Sequence, residues 1–245
     1  MKAAPDAQRR LLDVQAIDTS LAQLAHRTRN LPEHAELEKQ AAQLQTLADD
    51  RAKALVAVDD LDRDIARLER DVDQVRQRAA KDQGRLDSGS GSPKELESLQ
   101  HEIGTLARRQ EELEDAELEL MEQRESAQSQ LDALDTQLAA VTSEQQATAE
   151  RRDAAVAEIT AEQQRLTEER VPLVASLPAD LVTLYEKIRA QSNTGAAMLR
   201  AGRCEGCHLD LAGSDLATVK AAAEDEVVRC EECRRILVRT KESGL

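Results

Sequence analysis

Cys204-Glu205-Gly206-Cys207 and Cys230-Glu231-Glu232-Cys233 hold every cysteine of the chain, and their spacing decides how the rest is read. The segment 208–229 separates the two Cys-x-x-Cys pairs. A two-residue gap turns the backbone tightly enough to aim both sulfurs of a pair at one point. Two such pairs supply the four thiolates of a tetrahedral Zn²⁺, with metal–sulfur distances near ~2.3 Å. Gly206 fits as a residue free to take the backbone angles of a tight knuckle. Four protein ligands close the coordination sphere, so no position remains for a reactive water and the ion is expected to be structural. His208, directly after the first pair, is expected on the surface and not as a fifth ligand. Two disulfides would suit a small secreted domain, whereas Met1-Lys2-Ala3-Ala4-Pro5 has no apolar core of an export signal. A thioredoxin-like redox centre uses one such pair in a strand–helix setting, not two.

Outward from the cysteines, composition bounds the remainder. The 245 residues contain no Trp, no Phe and one Tyr, Tyr185, and 33% are charged. Ala, Leu, Glu, Gln, Arg and Asp dominate, which is the composition of long helices and coiled coils. The net charge is −15, and nearly all of it lies before residue 196. That acidic arm repels phosphate backbones and anionic membranes. No apolar run approaches the ~18 residues that span a bilayer. With the reduced cysteines, this leads to the expectation of a cytoplasmic protein.

The arm reads as two heptad runs. A first helix starts near Asp6, with Leu11, Val14, Ile17, Leu21 and Leu24 on one face. Leu31-Pro32 should break or kink it, because proline lacks the amide donor and restrains the residue before it. Steps of three and four then run from Leu44 and Leu47 through Val58, Ile65 and Val72 to Leu86, with Arg51 and Asp82 intruding. Ser88-Gly89-Ser90-Gly91-Ser92-Pro93 is the tip turn. Ser92, Pro93 and Glu95 form a helix start: cap, first helical position and capping-box partner. The second run passes from Leu96 and Leu99 through Leu113, Leu131 and Val141 toward Leu166, with Gln110, Glu117 and Arg124 intruding. Two runs of similar length about a flexible turn predict an antiparallel hairpin, a rod on the order of 110–120 Å. The polar intrusions read as register-setting positions. Glu111-Glu112-Leu113-Glu114-Asp115 reads as a solvated face.

Pro172 and Pro178 are expected to close the rod, giving a coiled-coil hairpin over 1–171 and a short helix plus zinc ribbon over 172–245. The short helix carries Leu181, Leu184, Tyr185 and Ile188 on one face and should pack on the ribbon or the rod's base. Ala196–Arg200 reads as a strand entering the first knuckle. Val227-Val228-Arg229 and Ile236-Leu237-Val238 read as a hairpin around the second. The fold class is therefore mainly α: a long antiparallel coiled-coil hairpin followed by a small four-cysteine zinc ribbon. A ribbon this small, without an aromatic core, is expected to need its ion.

Three stretches together resemble the bacterial C4-type zinc ribbon family with an N-terminal coiled-coil hairpin. They are Pro93–Ile103 at the tip, Leu181–Ile188, and the cysteine pairs with Arg234-Arg235-Ile236-Leu237. The family's tip usually reads Asn-Pro-Lys-Glu, where this chain has Ser92 before Pro93, Lys94 and Glu95. The resemblance covers essentially the whole chain. It implies a zinc-binding adaptor of the flagellar-regulator kind, whose studied relatives bind an alternative sigma factor of RNA polymerase and, in some cases, messenger RNA through the ribbon.

The functional expectation is a non-enzymatic adaptor that recognises a protein and/or RNA component of gene expression through the ribbon and the tip residues Pro93, Lys94 and Glu95. Arg234, Arg235, Arg239 and Lys241 cluster after the last cysteine as candidate nucleic-acid contacts, with a solvated edge as the bland alternative. The lack of aromatics counts against base stacking. A polymerase secondary-channel regulator with Asp82 and Asp87 near its tip is a second possibility, and a structural scaffold is a third. No nucleophile, paired carboxylate or phosphate loop suggests an enzyme or a small-molecule substrate.

Overall fold

The computed structural model describes residues 1–245. In chain order it contains α1 (Pro5–Arg29), α2 (Pro32–Asp87), α3 (Pro93–Ala175), α4 (Ala179–Ser192), β1 (Ala196–Arg200), β2 (Arg203–Cys204), α5 (Gly213–Ala221), β3 (Val228–Arg229) and β4 (Ile236–Val238). The chain forms two compact units, Ala35–Ala149 and Met1–His34 with Glu150–Leu245.

The first unit is the hairpin. Every heptad position read between Leu44 and Leu86, and between Leu96 and Val141, is buried or half-buried, with Val58, Val72, Leu99, Leu113, Leu131 and Val141 fully so. Two of the polar intrusions, Arg51 and Arg124, and further charged pairs beside them tie the two arms in antiparallel register. Arg51 on α2 reaches Asp135, Arg124 on α3 donates to Asp62 at 3.0 Å, and Arg76 donates to Glu114 at 2.6 Å. Nearer the tip, Arg78 reaches Glu102. At the far end Gln40 donates to Thr148 at 3.2 Å, a polar layer buried between the arms. Each exposed pair contributes at most about 1 kcal/mol, so the set fixes alignment more than it adds stability. At the tip the capping box closes: the Ser92 amide donates to Glu95 Oε2 at 2.7 Å and the Glu95 amide to Ser92 Oγ at 3.4 Å.

The second unit joins α1 to everything after residue 150. Helix α1 ends at Arg29 and α2 starts on Pro32, as the Leu31-Pro32 step requires. The expected boundary at 171/172 is not where the compact units part. Leu11 and Val14 of α1 pack with Leu181, Tyr185 and Ile188 of α4 and with Ile236 and Val238 of β4, so residues 1–34 group with the ribbon. Nor does Pro172 end the long helix: α3 continues to Ala175. Only the Glu168 carbonyl loses its partner, and Glu168 lies exposed within two turns of the helix end.

A charged cluster fixes this packing. Asp18, 3% exposed, accepts from the Tyr185 hydroxyl at 2.7 Å and from Arg170 at 2.8 and 3.1 Å. Burial, then Asp18, raises the Tyr185 pKa, so the phenol stays a donor. Gln15 Oε1 accepts from the Gly195 amide at 2.7 Å. A Cβ on Gly195 would lie 2.4 Å from the Tyr185 ring, which explains the glycine.

The sheet order is β2-β1-β4-β3, with β1 parallel to β4 and both outer pairs antiparallel. Strand alternation divides its residues between two cores. Ala196, Ile236 and Val238 face the helices, while Ala197, Leu199 and Leu237 face the cysteines. The outer edge is extended by a strap: the Ala3 amide donates to Asp225 O at 2.7 Å and the Val227 amide to Met1 O at 3.0 Å.

Candidate metal centre

The two cysteine pairs sit at corresponding places, starting on the last residue of β2 and directly after β3, and the parallel β1–β4 pairing sets them face to face. The local hydrogen bonding is duplicated. The amide of Cys204 donates to Leu209 O and that of Cys230 to Arg235 O, each at 3.0 Å. The amides of His208 and Arg234 return to Cys204 O at 2.7 Å and Cys230 O at 2.9 Å. The arginine before each pair clamps the far side: Arg203 Nε donates to His208 O and Arg229 Nε to Arg234 O, each at 2.8 Å. Both knuckles therefore spell Arg-Cys-Glu-x-Cys, a repeat legible in the sequence.

The sulfurs fit one tetrahedral ion. Cys204 Sγ lies 3.8 Å from Cys233 Sγ, and Cys207 Sγ 3.9 Å from Cys230 Sγ. All four lie within 4.8 Å of one another. A regular tetrahedron with ~2.3 Å metal–sulfur bonds has edges of about 3.8 Å. Cys204, Cys207, Cys230 and Cys233 thus hold one structural zinc, and His208 stands exposed outside the set. Burial pushes the Cys204 thiol up to about 12, against the amides of Cys207 and Gly206 that point at its sulfur. Burial also raises Cys230. At Cys233 burial pushes the same way, but the Arg235 amide and the neighbouring thiols outweigh it and the pKa falls. The cation supplies what the buried thiolates otherwise lack, so zinc uptake releases protons.

Gly206 is glycine for a different reason from the one expected. The left-handed residues of the knuckles are His208 and Arg234, both at φ 60°, while Gly206 is not left-handed. A Cβ on Gly206 would meet Ala197 Cβ and Arg235 Cδ, each at 2.8 Å. The residue is small because the first knuckle lies against β1 and the Arg235 stem.

The candidate cations have separate employments. Arg235 Nη1 donates to Gly206 O at 2.7 Å, bracing one knuckle with the other. The Arg239 guanidinium is a clamp for the α5–β3 segment, donating to Ala222 O at 2.7 Å, Ala223 O at 2.6 Å and Glu226 O at 2.8 Å, with longer contacts to Val219 and Glu224. Arg234 is exposed and paired with Glu231 at 3.1 Å. Lys241 is exposed in a cleft shared with Arg9, Lys220 and Glu242. The four therefore do not form one free basic patch. At the tip Pro93 and Glu95 belong to the helix start, and Lys94 is exposed. Asp82 is 7% exposed, flanked by Arg78 and Arg85 at 4.0 and 3.9 Å, and so does not project from the tip. Asp87 is exposed and accepts from Gln83 at 2.8 Å. Sequence reading missed α5, although Ser214-Asp215 ahead of Leu216 and Val219 is a helix-start pattern. No helix is long and apolar enough to cross a membrane.

Comparison with known proteins places this architecture. Residues 14–193 match the CT398-like coiled coil hairpin domain, and residues 203–237 match the C4-type zinc ribbon domain. The Mycobacterium tuberculosis protein Rv2229c is 41% identical over 240 residues, covering 98% of each chain. A solved structure from Mycobacterium smegmatis superposes with a TM-score of 0.87 at 36% identity, over 98% of this chain and 100% of that one. CT398 of Chlamydia trachomatis shares the fold, with a TM-score of 0.68 at 20% identity over 96% and 98% of the two chains. On the hairpin match and the identity across nearly its full length, the chain belongs to the CT398-like family of coiled-coil hairpin proteins that end in a C4-type zinc ribbon.

Proposed function

We propose that the chain is a non-enzymatic adaptor that recognises a protein component of bacterial gene expression. One observation supports protein over nucleic acid: the ribbon arginines expected to meet phosphate are engaged inside the fold. Arg239 grips backbone carbonyls and Arg235 braces Gly206. Of the four candidate cations, those that remain exposed are Arg234, already paired, and Lys241, on a chain of net charge −15. Its only Phe, Tyr or Trp side chain, Tyr185, is 1% exposed and offers no stacking platform. The four-thiolate site is closed, which suits a structural ion. The link to gene expression rests on the resemblance to the flagellar regulators.

The test is capture from bacterial lysate on zinc-loaded protein, with and without nuclease, beside an Arg234→Ala/Lys241→Ala variant that spares the structural arginines. Protein retained after nuclease, and by the variant, is the expected result. Loss of all specific material in both lanes would instead make the ribbon a nucleic-acid-binding head.

A further inference from the structure

The hairpin carries a second stripe on α3 beside the one that packs against α2. Glu111, Leu118 and Glu125 recur every seven residues, and Glu114, Met121 and Gln128 run alongside them. Leu118 is 58% exposed and Met121 49%, three residues apart on one face. Eight of the fifteen residues from Glu111 to Glu125 are acidic, and the single base, Arg124, is engaged by Asp62. Glu114 is held by Arg76 and Gln110, but Glu111, Asp115, Glu122 and Glu125 are exposed and belong to no ion pair. An apolar pair framed by uncompensated carboxylates at helical spacing is one half of a complementary surface. The matching half is a helix with apolar residues at i and i+3 or i+4 and lysines or arginines one turn to either side.

Resting on the adaptor reading, we propose that the Leu118–Met121 face of α3 docks a cationic amphipathic helix of the partner protein. A second copy of this acidic chain would bring like charges together, and phosphate would be repelled. A helix matches the spacing because both elements repeat every three to four residues, so apolar side chains can interleave while the flanking charges pair.

Fluorescence anisotropy with a synthetic lysine–leucine amphipathic helix tests this, beside a glutamate–leucine peptide of the same pattern. The full chain should bind the first and not the second. Leu118→Ser/Met121→Ser should weaken binding by about tenfold or more, given the transfer free energy of two buried apolar side chains. Both positions are exposed, so the circular dichroism and melting midpoint of the variant should stay those of the wild type. Glu111→Gln/Asp115→Asn/Glu122→Gln/Glu125→Gln should flatten the salt dependence of binding. Unchanged affinity in the apolar variant, unchanged salt dependence in the charge variant, or no binding by the wild type would each overturn the assignment. Failure of the adaptor reading is a separate result: no nuclease-resistant protein is captured by the wild-type chain.

Discussion

Arg239→Ala separates a structural arginine from a phosphate-binding one. In the fold its two terminal nitrogens donate to carbonyls of Val219, Ala222, Ala223, Glu224 and Glu226, which pins the end of α5 and the entry to β3. Not all five bonds count equally. Those to Ala223, Glu224 and Glu226 are exposed, and water can replace them at little cost. The contacts to Val219 and Ala222 are partly buried, and a charged donor lost there costs about 1–2 kcal/mol per bond. The expected loss is thus about 2–4 kcal/mol for the ribbon unit. Arg239→Lys should recover less than half of it, since an ammonium cannot fork between carbonyls as a guanidinium does. Tyr185, the only Tyr in a chain without Trp or Phe, lies in this unit and reports its unfolding by fluorescence, while a chromogenic chelator reports zinc loss. Both transitions should move to lower denaturant together. A variant with wild-type Tyr185 and zinc-release transitions, but altered capture of partners, would refute the structural role and return Arg239 to the binding surface.

Other perturbations give outcomes of known sign. Chelating zinc should unfold the four-cysteine core while most of the far-ultraviolet helical signal survives, because the 35–149 unit contains no cysteine; simultaneous loss of both signals would contradict this. His208→Gly and Arg234→Gly should each stabilise the zinc-loaded ribbon by about 1 kcal/mol, as both replace a left-handed residue with glycine, and denaturant midpoints would decide it. The Glu95 carboxyl is held below its ordinary value by the Ser92 amide, then by the Ser92 hydroxyl. Its contribution to the tip is therefore present above the ordinary carboxyl pKa and lost as pH falls through the lowered one. Protection of the Ser92 amide, measured relative to its intrinsic exchange rate, should fall on acidification in the wild type and stay constant with pH in Glu95→Gln.

The sequence reads well wherever one interaction dominates a local pattern. Each heptad position from Leu44 to Leu86 went to the interface, because a two-stranded hairpin offers a side chain one place to hide. Ser92, Pro93 and Glu95 formed their cap for an equally local reason. Metal chemistry made the cysteines legible. Long-range packing did not read. Nothing near Leu11 or Val14 says that this face meets α4 and β4 and not another heptad stripe. The arginines misled because arginine donates equally well to phosphate and to a backbone carbonyl. Only the fold decides which acceptor is near, and for Arg239 it supplies several carbonyls.

The departures from symmetry between the knuckles say which of them is built in. Arginine, cysteine, glutamate and cysteine recur at equivalent places, and so do the left-handed residues that follow, because each knuckle satisfies its own backbone in the same way. The position before the second cysteine breaks the pattern: Gly206 in one, Glu232 in the other. Glu232 is exposed, whereas Gly206 has Ala197 and the Arg235 stem where a side chain would go. The first knuckle is therefore pressed against β1 and braced by an arginine from the second, and the second keeps Glu231, Glu232 and Arg234 in water. Zinc links a seated half to an exposed half. Substitution at Gly206 acts on folding, since even Ala there forces Ala197 or Arg235 to move. Substitution at Glu232 acts on surface charge alone and at Glu231 breaks only an exposed ion pair with Arg234, so the second knuckle is the part of the ribbon that tolerates change.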